Sequence, residues 1–192
     1  MDSLKEKIRK EGQVKGQGIL KVDSFLNHQL DVALFEEMGK VFAKRFAGQG
    51  INKILTIETS GIAIATITAR YFDYCPVVFA KKYVSLNLDK DIYSSDVYSY
   101  TKQQSYKIMV SKKYMNKDDR ILIIDDFLAN GKAVEALMDV IKQSGATLIG
   151  VGIAIEKGFQ GGGAHLREQG IALESLAIVD EMSEEKGIIF RD

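Results

Sequence analysis

Five short apolar runs, separated by segments of helical periodicity, constrain this chain more than any other feature. INKILTI (51–57), PVVFA (76–80), RILIID (120–125), ATLIGVGIAIE (146–156) and ESLAIVD (174–180) each read as a strand. Short, continuous apolar runs belong to strands covered on both faces, and such strands are parallel. IAIATITARYF (62–72) and GKAVEALMDVIKQSG (131–145) supply helices between them. The predicted fold class is α/β: a parallel sheet flanked by helices, joined by right-handed crossovers. The 192 residues suit a single domain spanning 1–192.

Two segments stand outside the alternation. Ser3 and Glu6 have the spacing of a capping box, predicting a short helix that stops at Gly12. Residues 13–30 are irregular in pattern. Asp31 then caps an amphipathic helix with Leu34, Phe35, Met38, Val41, Phe42 and Phe46 on one stripe, ended by Gly48 and Gly50. Later, residues 81–119 contain no long apolar run and are dense in Lys, Asp, Ser and Tyr. DVYSYT (96–101) and SYKIMVSKK (105–113) predict an antiparallel hairpin around Lys102–Gln104. A polar insertion of this length is a candidate lid or binding loop. The competing reading is a solvated hairpin with no role.

Charge and composition exclude several classes. Lys plus Arg and Asp plus Glu both number 26, so no net positive charge draws the chain to nucleic acid. No apolar run approaches the ~20 residues of a membrane span. MDSLKEKIRKEG, charged throughout, lacks the core of a signal peptide. The single Cys75 excludes an internal disulfide and a multi-cysteine metal site, and His28 and His165 are too few for a histidine–zinc motif. The expectation is a soluble, cytoplasmic chain with no protein metal site.

The sharpest local motif is ILIIDDFLANGKA (121–133). A buried strand ends in Asp125 and Asp126, and a loop over Phe127–Gly131 opens a helix. Ligands of open α/β sheets sit beyond the carboxyl ends of the strands. A helix start offers unpaired N–H groups and a positive dipole end, which suit a phosphate. Gly131 allows close backbone approach, and Lys132 adds charge. Two carboxylates beside a phosphate site fit a ribose, whose hydroxyls donate to the acids while its 5-phosphate sits in the loop. The plainer alternative makes Asp126 a helix cap and Asp125 a strand-end charge. A P-loop is excluded, because Asp126 stands where its first glycine belongs and no Ser or Thr follows Lys132. Gly16/Gly18 and Gly150/Gly152 lack the third glycine of a dinucleotide fingerprint. Gly161–Gly163 reads as a flexible turn before a helix.

The 121–133 string resembles the 5-phosphoribosyl-1-diphosphate (PRPP) motif of type I phosphoribosyltransferases. VDSFLNHQLD (22–31), TIETSGIAIA (56–65), PVVFAKK (76–82), LIIDDFLANGKA (122–133) and IEKGFQ (155–160) extend the likeness to the bacterial, xanthine-using branch of that family. The resemblance implies these roles. Asp125 and Asp126 hold the ribose hydroxyls, and Ala129, Asn130, Gly131, Lys132 and Ala133 cradle the 5-phosphate. Glu58, Thr59, Ser60 and Gly61 form the diphosphate loop, with Lys81 after the second strand. Leu20 and Asn27 belong to an N-terminal hood (about 1–30) over the base, and Lys157 contacts the purine 6-oxygen. The flexible catalytic loop falls within about 81–119. Magnesium is implied as a cofactor, bound mainly through PRPP, and a homodimer as the assembly.

Two departures from the wider family stand out. Asn130 and Ala133 replace hydroxyl residues of the phosphate loop, which leaves more to the backbone and Lys132. Lys81–Lys82 replaces Arg–Lys, which removes a bidentate diphosphate contact. The implied reaction joins xanthine to PRPP, giving XMP and diphosphate. No general base is evident; xanthine, as the family is understood, ionises near neutral pH. A hypoxanthine or guanine enzyme is the alternative, as is a PRPP-binding regulator on the same fold, although the chain has no spare DNA-binding domain. Cys75 reads as a small buried hydrophobe. Phe159, beside Lys157, is a candidate stacking face or a core residue.

Overall fold

The central sheet of the computed structural model has six strands in the order β10-β9-β8-β7-β3-β4. The structure describes residues 1–16, 18–82, 91–99 and 104–191. The sheet strands are β3 (Lys53–Ile57), β4 (Val77–Ala80), β7 (Arg120–Leu128), β8 (Thr147–Lys157), β9 (Leu173–Ser183) and β10 (Gly187–Phe190). All five strands predicted from the apolar runs are present and run parallel. The sequence reading missed β10, which returns antiparallel along β9.

Side-chain alternation explains why the sheet is covered twice. In β3 and β7, Ile54, Leu122 and Ile124 join one core, while Leu55, Ile57, Ile121 and Ile123 join the other. The first core is closed by α1 (Asp2–Glu11), α2 (Val32–Arg45) and α3 (Gly61–Ala69), through residues such as Ile8, Phe35, Phe42 and Ile64. The second is closed by α4 (Lys132–Ser144), through Leu137, Val140 and Ile141, and by Leu166 of α5 (Gly162–Glu168). Gly150 and Gly152 belong to this packing. A Cβ on Gly150 would stand 2.5 Å from the Phe46 ring, and one on Gly152 2.8 Å from Phe42.

Local signals resolve in different ways. The Asp31 carboxylate accepts from Leu34 N at 3.1 Å, as an N-cap should. The Ser3 capping box does not form: Met1 occupies the cap position of α1, and the Ser3 hydroxyl donates to Glu37 at 2.6 Å instead. Residues 13–30 form a small hairpin of β1 (Gln13–Lys15) and β2 (Ile19–Lys21), followed by a π-helical turn at Asp23–Asn27. The polar insertion contains the expected antiparallel pair, β5 (Ile92–Ser99) with β6 (Gln104–Ser111), in register from Ile92↔Ser111 to Ser99↔Gln104. Residues 83–90 and 100–103, which include part of the expected lid and most of its turn, lie outside the described residues. The paired part is not simply solvated. Val97, Ile108 and Val110 are buried in the second core, and Gln143 of α4 bonds the Ser94 backbone at both its amide and its carbonyl. Among the described residues, no helix is long and apolar enough to cross a membrane.

Candidate active site

The strand order reverses direction between β3 and β7. The chain first moves outward from β3 to β4, then returns to place β7, β8 and β9 on the other side of β3. A crevice at the carboxyl ends of strands opens at such a switch point. The loops after β3, β7 and β8 therefore emerge side by side, bringing the 58–61, 125–133 and 157 segments to one edge.

The acids do not end their strand. β7 continues through Leu128 because β8 keeps offering partners: Asp125 pairs with Ile153, Phe127 with Ile155 and Leu128 with Glu156. The connecting loop is shorter than the sequence suggests, only 129–131. Asp125 is 3% exposed and its Oδ1 accepts from the Asp126 amide at 3.0 Å, while Asp126 is half-buried. Asp126 is thus not the cap of α4; Gly131 is.

Burial raises the Asp125 carboxyl well above the usual carboxylate range, and the Asp126 charge reinforces the shift. A raised pKa favours folding below the unfolded value and costs stability as pH climbs through the folded value. Asp125→Asn removes that buried charge and keeps an acceptor for the Asp126 amide. Its melting temperature should exceed the parent's at about pH 7, and the gain should vanish toward ~pH 4, where the unfolded carboxyl also holds its proton. Thermal melts across pH check this.

Gly131 has φ +86°, a left-handed conformation that glycine adopts without strain. It starts α4 immediately after Ala129 and Asn130. The Lys132 ammonium pairs with Glu135 at 2.8 Å, so its charge is already shared within the helix's first turn. Across the crevice, the Glu58–Thr59 peptide is cis, and Glu58 Oε1 accepts from the Lys82 amide. Gly61 permits a close approach: its Cβ would lie 2.2 Å from Thr56 Oγ1 and 2.7 Å from Asp125 Oδ1.

The two lysines after β4 part company. Lys81 pairs its backbone with Met109 and lines a separate cavity of about 490 Å³ with Lys53, Phe79 and Tyr114. Lys82 lies 5.4 Å from the Tyr106 ring centre, and its charge bears on Asp125. Burial raises the Tyr106 phenol, with Asp125 adding to the shift. Lys82 and Tyr106 are thus site neighbours that the assignment of Lys81 passed over. Strand alternation could have flagged Lys82, but nothing in the sequence brings Tyr106 to Asp125.

At the β8 end, burial lowers the Lys157 pKa, with the Asp126 charge opposing. Its ammonium donates to the Gly18 carbonyl at 2.8 Å and lies 5.4 Å from the Phe127 ring centre. The N-terminal hairpin is thereby fastened to the site. Leu20 is buried in the first core, whereas Asn27, in the π-helical turn, is exposed and its side chain has no hydrogen-bond partner among the described residues. Phe159 is 44% exposed, which removes the core reading. Among the described residues, no three His, Cys, Asp or Glu side chains gather as metal ligands.

A switch-point crevice with paired acids on one side and a glycine-opened helix start beside them offers acceptors for hydroxyl groups next to amides suited to an anion. The phosphoribosyl transferase domain model matches residues 21–162, and the chain belongs to that family. It is 62% identical over 186 residues to xanthine phosphoribosyltransferase 2 of Clostridium botulinum, covering 97% of this chain and 98% of that one. The xanthine phosphoribosyltransferase of Clostridioides difficile is 59% identical over 182 residues, 95% of this chain and 96% of that one. Among solved structures, an adenine phosphoribosyltransferase of Trypanosoma brucei superposes with a TM-score of 0.78 at 20% identity. That match covers 96% of this chain and 83% of the other, and it bears on the fold alone.

Proposed function

We propose that this chain is a xanthine phosphoribosyltransferase, transferring the 5-phosphoribosyl group of PRPP to xanthine with release of diphosphate. The convergence of three adjacent strand ends on one crevice carries the reading, and the relatives of 58–62% identity that bear this name support the choice of base. The C1–O bond to diphosphate breaks, the bond from the xanthine imidazole nitrogen to C1 forms, and the proton that xanthine gives up on ionising passes to water. Positive charge grows on the ribose ring and negative charge on the leaving group.

Each group has work that suits its place. Asp125 and Asp126 accept from the ribose hydroxyls and stabilise the cationic ring electrostatically. Residues Ala129 to Ala133 hold the 5-phosphate through amides at the start of α4. The 58–61 loop and Lys82 face the diphosphate; Lys81, turned toward another cavity, does so only if its side chain swings round. Lys157 donates to the purine 6-oxygen with the donors that Gly18 leaves unused, and the exposed Phe159 offers a stacking face. Magnesium fits this donor set. Two neighbouring carboxylates are too few for a closed cage, and a magnesium ion readily takes most of its ligands from phosphate oxygens and water. Bound with PRPP, it would neutralise charge on the departing diphosphate. We place the reaction in the cytoplasm and take a homodimer as the working assembly.

Base choice rests on the hood. Xanthine carries a 2-oxygen that hypoxanthine lacks, and the unpartnered Asn27 amide is a suitable donor to it. Asn27→Ala should lower kcat/KM for xanthine by about 5–100-fold, the worth of one buried hydrogen bond, and change hypoxanthine much less. Steady-state kinetics with both bases measure the difference; an equal fall for both would remove Asn27 from base recognition.

A further inference from the structure

Of the glycine run 161–163, only Gly161, an exposed bend at φ +78°, is the turn that the composition suggests. Gly162 and Gly163 are buried residues of α5 itself. A Cβ on Gly162 would stand 2.4 Å from the Ala129 carbonyl oxygen, 2.6 Å from the Asn130 carbonyl carbon and 2.6 Å from the Gly131 nitrogen. All three are backbone atoms, so no side chain can swing aside to make room. The Gly162 amide also donates to the Ala129 carbonyl at 3.1 Å. The first residue of α5 is therefore the wall against which the 129–131 loop rests.

A second contact fixes that wall. Gly163 sits against Glu156, whose Oε1 would be 1.9 Å from a Cβ there. Glu156 is 1% exposed at the end of β8 and receives three hydrogen bonds. Arg167 of α5 gives a bidentate pair at 2.9 and 2.8 Å, and the Ser175 hydroxyl of β9 gives a third. Burial opposes the Glu156 charge, but these donors outweigh it and hold its pKa below the ordinary value. Buried ion pairs are poor sources of stability compared with apolar packing. Their bidentate geometry does, however, fix direction and distance well.

We infer that Glu156, Arg167 and Gly162 form a positioning unit that clamps α5 to the sheet and sets the place of the 129–131 loop for the 5-phosphate of PRPP. None of the three needs to touch substrate. The inference rests on the phosphate-loop reading above.

Gly162→Ala is the direct test. Relieving a 2.4 Å contact moves the loop by up to about 1 Å, and displacements of that size are worth up to ~100-fold. The KM for PRPP should rise by about tenfold or more, and the KM for xanthine by less than ~3-fold. Arg167→Lys keeps the charge but loses the bidentate fork, and should show the same split at about 3–10-fold. It decides the matter if Gly162→Ala does not fold. A merely structural role would lower the melting temperature and leave both KM values alone. Unchanged KM for PRPP in the folded variants, or equal rises for both substrates, overturns the inference. Gly131→Val separates the two levels. If it raises the KM for PRPP and the positioning variants do not, only the clamp falls. If it also leaves PRPP binding intact, the phosphate-loop reading falls with it.

Discussion

The double variant Asp125→Asn, Asp126→Asn is expected to fold and to turn over xanthine about 10²–10⁴-fold more slowly than the parent. A hydrogen bond to a charged group contributes about 1.5–3 kcal/mol, or ~10–100-fold apiece. That range is the product of two independent losses; the two acids are adjacent and bonded to each other through the Asp126 amide, so coupling between them sets where in or below it the double variant falls. Folding survives because burial already disfavours the Asp125 charge. A variant that gains melting temperature while losing activity is what a carboxylate retained for its substrate predicts. Parent-like turnover in the double variant would end the ribose assignment.

Gly131→Val should weaken PRPP binding about 100-fold, because a branched side chain stands where the backbone must meet the phosphate. The structure adds a cost that the motif alone does not carry. At φ +86° a β-branched residue is strained by about 1–3 kcal/mol. A Cβ there already approaches Gly162 Cα at 3.6 Å, leaving little room for branches. Some stability should therefore be lost as well. Binding measured by calorimetry on the folded fraction separates the two. A loss of PRPP affinity no larger than the loss of stability would make Gly131 a structural glycine only.

The sheet was legible because its signal is local. Ile121–Ile124 is a continuous apolar run and Ile54–Ile57 is broken only by Thr56, so both faces of each need cover, and the helices between them are amphipathic or apolar in their own windows. Asp31 was legible for the same reason, since its cap partner lies three residues away. What failed depended on distant partners. β7 runs through two acids because β8 pairs with them, and no property of Asp125 or Asp126 announces that. Ser3 leaves its capping box for Glu37, 34 residues on. β10 is four residues long and takes its place from β9. Gly162 and Gly163 look like a turn in one dimension and become a contact surface in three. Within the site, the acids and the Gly131 helix start were singled out by the 121–133 motif, and Lys157 by the family likeness alone. Lys82 and Tyr106 reach Asp125 through the fold of the β4 end and the β5–β6 hairpin.

The central claim is most directly tested by supplying the purified protein with PRPP, magnesium and, in parallel, equal concentrations of xanthine, guanine, hypoxanthine and adenine, and following nucleotide formation and diphosphate release. Xanthine should give the highest kcat/KM, with XMP and diphosphate formed in equal amounts, and adenine, which lacks the 6-oxygen we assign to Lys157, should be the poorest acceptor. Preference for guanine or hypoxanthine over xanthine, or no diphosphate release with any base, would contradict the account.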